Sequence, residues 1–306
     1  MSKLLQTLVN SIALGSLYAL TALGYTLVYG VLRFINFAHS DVFTVGAWVS
    51  FSIATAFGWA STGSPWFAMP LVLLLAMALC AALGIMIERL AYRPLRKAPR
   101  LNVLITAIGV SLFLQNVGQL QWVFGTQPQS MPPVLEDSSV AELSGVHIRM
   151  VDLVVVSLTI VLLGLLEFLI YRTKLGRAMR AVSFDEKTAS LMGINANRIV
   201  SITFGIGSAL AAAGGMFFAL KYGSIKQSAD ATWVLLGLKA FVAAVVGGIG
   251  NVRGAVVGAL LIAFVEMFGA AYFSPHMRDF YVFVILIVVL LVRPSGLFGS
   301  STVEKV

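Results

Sequence analysis

Charged side chains are scarce in this 306-residue sequence: Asp, Glu, Lys and Arg make up 11% of it, while 59% is hydrophobic. Soluble domains carry roughly 25% charged residues, so a chain this poor in charge is read as a membrane protein. Cysteine occurs once, at Cys80, which excludes an intrachain disulfide. The three histidines, His39, His147 and His276, lack ligand spacing, and no metal site is expected. No Gly-Lys dipeptide occurs, which excludes a phosphate-binding Walker loop. Extended polar segments are missing too: none exceeds ~30 residues, too few to bury an independent soluble core. No carboxylate pair, activated serine or metal cluster points to catalysis.

What is present is apolar sequence of spanning length. Helices need ~20 apolar residues to cross ~30 Å of hydrocarbon, and segments fall at about 8–32, 42–60, 66–88, 102–124, 151–171, 199–221, 233–249, 254–273 and 280–292. Segments such as LVLLLAMALCAALGIMI do not alternate, which excludes barrel strands. The expected fold is all-α: one polytopic transmembrane helical bundle over 1–306, with eight full spans, nine if every segment crosses, and one or more segments broken or re-entrant. The N-terminal run starts like a signal peptide but continues to about Leu32, and is read as a retained first span.

The formal net charge is +8, yet the basic residues report topology rather than a nucleic-acid partner. Arg89, Arg93, Arg96, Lys97 and Arg100 lie in one loop; Arg172, Lys174, Arg177, Arg180, Lys187 and Arg198 lie in another. Together they are eleven of the 21 Lys and Arg residues, and the positive-inside rule places both loops in the cytoplasm. The 125–150 segment, with Pro128, Pro132, Pro133, Glu136, Asp137, Glu142 and Arg149, then falls outside. The C-terminus, with Arg293 and Lys305, falls inside, while the side of the N-terminus stays open.

Within the loop at about 172–198, Ser183-Phe-Asp-Glu186 fits a capping box, with Ser183 as N-cap and Gly193 placed to end the helix. A helix of about nine residues follows from this spacing. Phe184, Thr188, Leu191 and Met192 share one of its faces. Such a face can rest on lipid headgroups or dock a cytoplasmic protein.

Polar residues in apolar spans are costly and mark faces that meet protein or water. Ser111, Gln115, Gln119 and Trp122 form one stripe, with Asn116 beside it; Ser11, Gly15, Tyr18, Thr21, Tyr25 and Tyr29 form another. Both are candidates for a translocation path, with buried interhelical hydrogen bonds as the alternative. In RFINFAHSD (33–41), Asn36, His39 and Asp41 either line a gate at a broken helix or cap the next helix, with Asp41 or Ser40 as N-cap. Lys239 and Glu266 stand about equally far from the glycine turn 247–254, so an antiparallel pair brings them within reach of an intramembrane ion pair. Glu88 and Glu167, near cytoplasmic ends, are placed at the interface. Ser208, Ala211, Ala212, Gly214, Gly215, Gly254 and Gly258 permit close helix approach, within the chain or across a subunit interface.

Three blocks, GSLYALTALGYTLVYGVLRFINFAHSD, LGRAMRAVSFDEKTASLMGINANRIVSITFGIGSALAAAGG and GLKAFVAAVVGGIGNVRGAVVGALLIAFVE, resemble in this order the LivH-type permease of bacterial branched-chain amino-acid ABC importers. The likeness runs over nearly the whole chain. It implies a multi-pass subunit of a bacterial inner membrane and a non-catalytic role. The implied partners are a LivM-like second permease, two cytoplasmic ATPases that hold ATP and Mg, and a periplasmic delivery protein. No cofactor is implied for this chain itself. The likeness also implies that Ser183, Phe184, Asp185, Glu186, Thr188, Ala189, Leu191, Met192 and Gly193 couple to an ATPase. Where the family commonly has glycine after the histidine, this chain has Ser40. Related permeases for urea, short amides, aromatic acids or another amino acid look alike, and an ion-coupled secondary transporter is the alternative from another class.

Overall fold

The structure is a computed structural model that describes residues 2–59, 64–96, 98–135, 138–143 and 145–299. Lys97, Glu136, Asp137 and Lys305 of the loops above lie outside the described residues. Nine long helices are described: α1 (Ser2–Leu32), α2 (His39–Ala56), α3 (Ala68–Ile87), α4 (Arg100–Gly118), α5 (Met150–Arg172), then, after the short α6 (Lys174–Phe184) and α7 (Glu186–Leu191), α8 (Ala196–Tyr222), α9 (Ala231–Gly247), α10 (Val252–Tyr272) and α11 (Arg278–Val292). Seven of the nine are long and apolar enough to cross a membrane. The others are α2, which opens on His39, Ser40 and Asp41, and α9, an apolar helix of 17 residues.

Burial sorts the helices into a centre and a rim. Helices α1 and α8 are buried on nearly every side, and small residues let their neighbours come close. Gly46 of α2 lies against Ala212, and Gly215 against the Phe43 backbone. Gly247, Gly254 and Gly258 bring α9 and α10 together, so these small-residue contacts form within the chain. In a bilayer such contact replaces the hydrophobic drive that folds soluble cores. On the rim, α4, α5 and α11 expose Phe113, Ile160, Phe168 and Leu291, the apolar surface that lipid covers.

Contacts at the helix ends set the direction of each span. The Lys3 ammonium sits 4.9 Å from the centre of the Tyr272 ring, and Gln6 exchanges hydrogen bonds with the backbone of His147. The start of α1 therefore shares a face with the antiparallel hairpin of β2 (Ser139–Leu143) and β3 (Val146–Arg149). A smaller ribbon on that face pairs β1 (Gln129–Ser130) with β4 (Ser224–Ile225). Gly30, near the other end of α1, lies by Gly250 on the opposite face, where the basic loops cluster. With those loops inside, α1 begins outside, and the nine helices alternate in direction. Gly248 and Gly250, at φ +103° and +96°, make the turn from α9 to α10.

The RFINFAHSD stretch is a break inside the bundle. Helix α1 ends at Arg33, which takes φ +54° and donates its N–H to the Tyr29 carbonyl at 2.8 Å. That left-handed conformation costs an L-residue about 1–2 kcal/mol. The chain then folds back, and α2 starts at His39, packed beside Gly24. Gly24 lies eight residues before the end of α1, about 12 Å at 1.5 Å per residue, so α2 begins within the bundle and not at its surface. The expectation that Asp41 or Ser40 caps this helix is corrected: the N-cap is Ala38, without a side-chain cap. Both side chains are drawn away, Ser40 Oγ to the Phe37 carbonyl at 3.0 Å and Asp41 to α4. Ser40 is helical, so glycine's freedom is not needed there.

The capping-box expectation also shifts. Ser183 lies inside α6, an amphipathic helix that buries Met179 and Val182. The true cap is Asp185, which accepts the Lys187 N–H at 2.9 Å, and α7 has six residues rather than about nine. Asp185 wins because it is itself extended, at φ −153°, as an N-cap must be, whereas Ser183 is already helical. Gly193, at φ +83°, ends the turn, with Ile194 N–H donating to the Ala189 carbonyl at 3.1 Å.

Candidate functional site

Around the break, polar side chains from four helices converge. Tyr92 Oη donates to Asn36 Oδ1 at 2.6 Å. Tyr92 closes a π-helical turn, Glu88–Tyr92, that continues α3 into a 3₁₀ turn at Arg93–Leu95; π turns often sit at functional positions. His39 meets Tyr25 edge-on with ring centroids 4.6 Å apart, and Tyr25 faces Phe241 at 5.7 Å. Gln115 donates to Asp41 Oδ1 at 2.8 Å and to Ser111 Oγ at 3.2 Å, while Ser228 Oγ donates to the Gln115 carbonyl at 2.8 Å. His39 Nε2 and Asp41 Oδ2 are buried without a hydrogen-bond partner. An unsatisfied buried polar atom costs about 1–3 kcal/mol, so the break is one place in the bundle disposed to accept a polar visitor.

The structure brings together Tyr25, Asn36, His39, Asp41, Ser111 and Gln115, and it separates three other path candidates from them. Gln119 follows the last residue of α4, half-buried, its Nε2 3.4 Å from the Gln115 carbonyl. Trp122 is 80% exposed beyond the helix end. Tyr18 turns toward α10, donating its Oη to Glu266 Oε2 at 2.8 Å. Glu266 Oε1 accepts from Lys239 Nζ at 2.9 Å, and Lys239 also lies 2.7 Å from Asp279 of α11. Asp279 is a partner that sequence reading missed; its only linear signal is an acid in the first turn of a helix.

The face of the basic loops holds a second polar cluster. Glu88, placed near the interface by its position at the end of α3, is fully buried in the protein there, its carboxylate facing Arg96, Arg93 and Ser201. Arg96 pairs with Glu88 Oε1, and Ser201 Oγ donates to Oε2 at 2.5 Å, with Arg93 Nη2 3.4 Å away. Arg96 reaches Asn197 Oδ1 at 2.9 Å and lies 3.9 Å from Glu186 of α7. One guanidinium thus joins the buried end of α3 to the short helix outside the bundle. Glu167, the other carboxylate placed at this interface, pairs with Arg253, Oε1 to Nε at 2.5 Å.

Around α7, Ala189 is buried as an anchor, whereas Phe184 at the end of α6, Leu191 and the C-cap Met192 are 88%, 87% and 79% exposed. Thr188 Oγ1 donates to Asp185 Oδ2 at 2.5 Å. That bond, with the Thr188 and Lys187 backbone N–H groups, holds the Asp185 carboxyl below its ordinary range. Glu186 is exposed, Ser183 half-buried and Gly193 exposed. Three bare apolar side chains on a capped, anchored turn form a surface suited to a protein partner.

Comparison with known proteins agrees with this architecture. The family described as branched-chain amino acid transport system, permease component, matches residues 7–290. The chain is 41% identical to the high-affinity branched-chain amino acid transport system permease protein BraD of Pseudomonas aeruginosa, over 99% of this chain and 98% of that one. It is 40% identical to LivH of Escherichia coli K12, over 99% and 97%. A probable branched-chain amino acid transport permease protein LivH from Methanocaldococcus jannaschii is 27% identical over 95% and 91%. A nine-helix bundle matched along almost its full length at this identity belongs to the branched-chain amino acid transport permease family.

Proposed function

We propose that this chain is the permease subunit of an ABC importer in a bacterial inner membrane, forming the path for branched-chain, hydrophobic amino acids handed over by a periplasmic binding protein. The observation that carries the reading is the α6–α7 segment on the basic-loop face, which bares Phe184, Leu191 and Met192 while Ala189 of α7 is anchored in the bundle. Two cytoplasmic ATPases, which hold ATP and Mg, would dock there, and a LivM-like second permease would complete the membrane part. This chain performs no chemistry; it converts motion of the docked motor into opening of the path.

The supporting geometry is a contiguous line of contacts. Glu186 of α7 lies by Arg96, Arg96 pairs with Glu88, the π turn carries Tyr92, and Tyr92 holds Asn36 at the break beside His39 and Asp41. Coupling needs an element with two arrangements that both ends can bias, and the unsatisfied break is the natural candidate. Reconstituting the chain with its second permease, ATPases and binding protein tests the proposal. Vanadate-sensitive, ATP-dependent leucine uptake is expected. Accumulation by this chain alone on an ion gradient would overturn it.

A further inference from the structure

A cavity of about 450 Å³ opens on the hairpin face, between the first half of α1, the end of α8, α9, the end of α10 and the start of α11. That volume falls within the range of small-ligand pockets, about 300–1,000 Å³. Its two sides differ in chemistry. One is apolar and aromatic, made by Leu14, Phe218, Trp233 and Leu236; the other carries Lys239, Glu266, Arg278 and Asp279. We infer that this cavity is an outer-face subsite for a zwitterionic α-amino acid with an apolar side chain, a role that rests on the transport reading above.

The charges select the ligand class. Lys239 is nearly buried between two carboxylates, Glu266 at 2.9 Å and Asp279 at 2.7 Å. The two acids are not equivalent. Glu266 is buried and held from its other side by Tyr18, whereas the Asp279 side chain is 50% exposed. The Lys239–Glu266 pair is therefore the fixed floor, and the Lys239–Asp279 pair is the one that can open. A zwitterion inserts into that pair without change of net charge: its carboxylate takes Lys239 and Arg278, and its ammonium takes Asp279. A simple anion would leave Asp279 without its cation, and a simple cation would add a positive charge beside Lys239 and Arg278, so either changes the net charge of a poorly solvated site where a zwitterion does not. The side chain of the bound amino acid then meets Phe218 and Trp233, so an apolar group is preferred over a charged one.

The test uses the complete importer in proteoliposomes, with leucine uptake and ATP hydrolysis measured together for wild type, Asp279→Asn and Arg278→Gln. Each variant removes one charge-assisted hydrogen bond to the substrate, so uptake per ATP hydrolysed should fall about tenfold, with the complex still assembled. Trp233→Ala should in addition lower the preference for leucine over alanine. Wild-type uptake per ATP in both charge variants would overturn the subsite. So would parallel loss of uptake, ATP hydrolysis and assembly, which marks a purely structural ion pair. Absence of ATP-driven uptake by the wild-type complex would instead remove the transport reading itself.

Discussion

Glu88 shows how little a position in the chain says about what surrounds a side chain. Lying a turn from a cytoplasmic end, it reads as an interfacial acid, yet it is fully buried against Arg96 and Ser201. A buried ion pair that loses one partner is destabilised by about 3–5 kcal/mol, because the other charge is stranded. Glu88→Ala should therefore lower the thermal unfolding midpoint of the purified complex, and adding Arg96→Met should recover much of the loss. An unchanged midpoint would mean that Glu88 is solvated. Gly24 makes a second case: any side chain there would run into the His39 ring and the Gly207 carbonyl. Gly24→Val should displace the start of α2, at about 1–3 kcal/mol for overpacking, and abolish uptake; wild-type uptake would show that the break tolerates displacement. Neither fact is legible in sequence, where a glycine and a glutamate carry no mark of what packs on them from distant spans.

Helix α7 is the element whose surface and stability can be addressed separately. Leu191 and Met192 are exposed, so Leu191→Ser with Met192→Ser should leave bundle stability unchanged. If they are the apolar anchors of the ATPase contact, uptake should drop about tenfold or more, the scale of a hot spot. Preserved uptake and preserved co-purification with the ATPases would refute docking there. The cap gives a pH prediction. Asp185 has its folded-state carboxyl below the ordinary range through Thr188 and the Lys187 and Thr188 N–H groups. Its stabilising contribution is thus complete above the ordinary carboxylate value and is lost as pH falls through the lower, folded value. Amide-exchange protection in α7 should hold from neutral pH down to that ordinary value and decline only in stronger acid. Protection already failing near neutral pH would contradict the cap.

The bundle as a unit makes a prediction about sidedness. With the basic loops inside, α1 starts outside beside the β2–β3 hairpin, and α6 and α7 lie inside. The sole natural cysteine, Cys80, is buried, so single cysteines can be introduced without removing it. Lys3→Cys should react with an impermeant thiol reagent added to the outer side, and Ser190→Cys only after the membrane is permeabilised. The reverse pattern would invert the topology.

Much of this protein was readable without coordinates. Apolar runs of spanning length dictate helices, because no other element satisfies its backbone in lipid, and all nine segments located by hydropathy are helices. Equal spacing from a glycine turn put Lys239 and Glu266 at matching heights on adjacent helices. Tertiary structure decided the rest: that α2 begins in mid-bundle, that Tyr18 and Tyr25 part company, that Asp279 joins Lys239, and that Arg96 ties α7 to Glu88. The physical reason is that periodicity and charge constrain a segment against its solvent, lipid or water. The partner of a polar side chain depends on which distant segment arrives at the same height and rotation, and no local spacing records that.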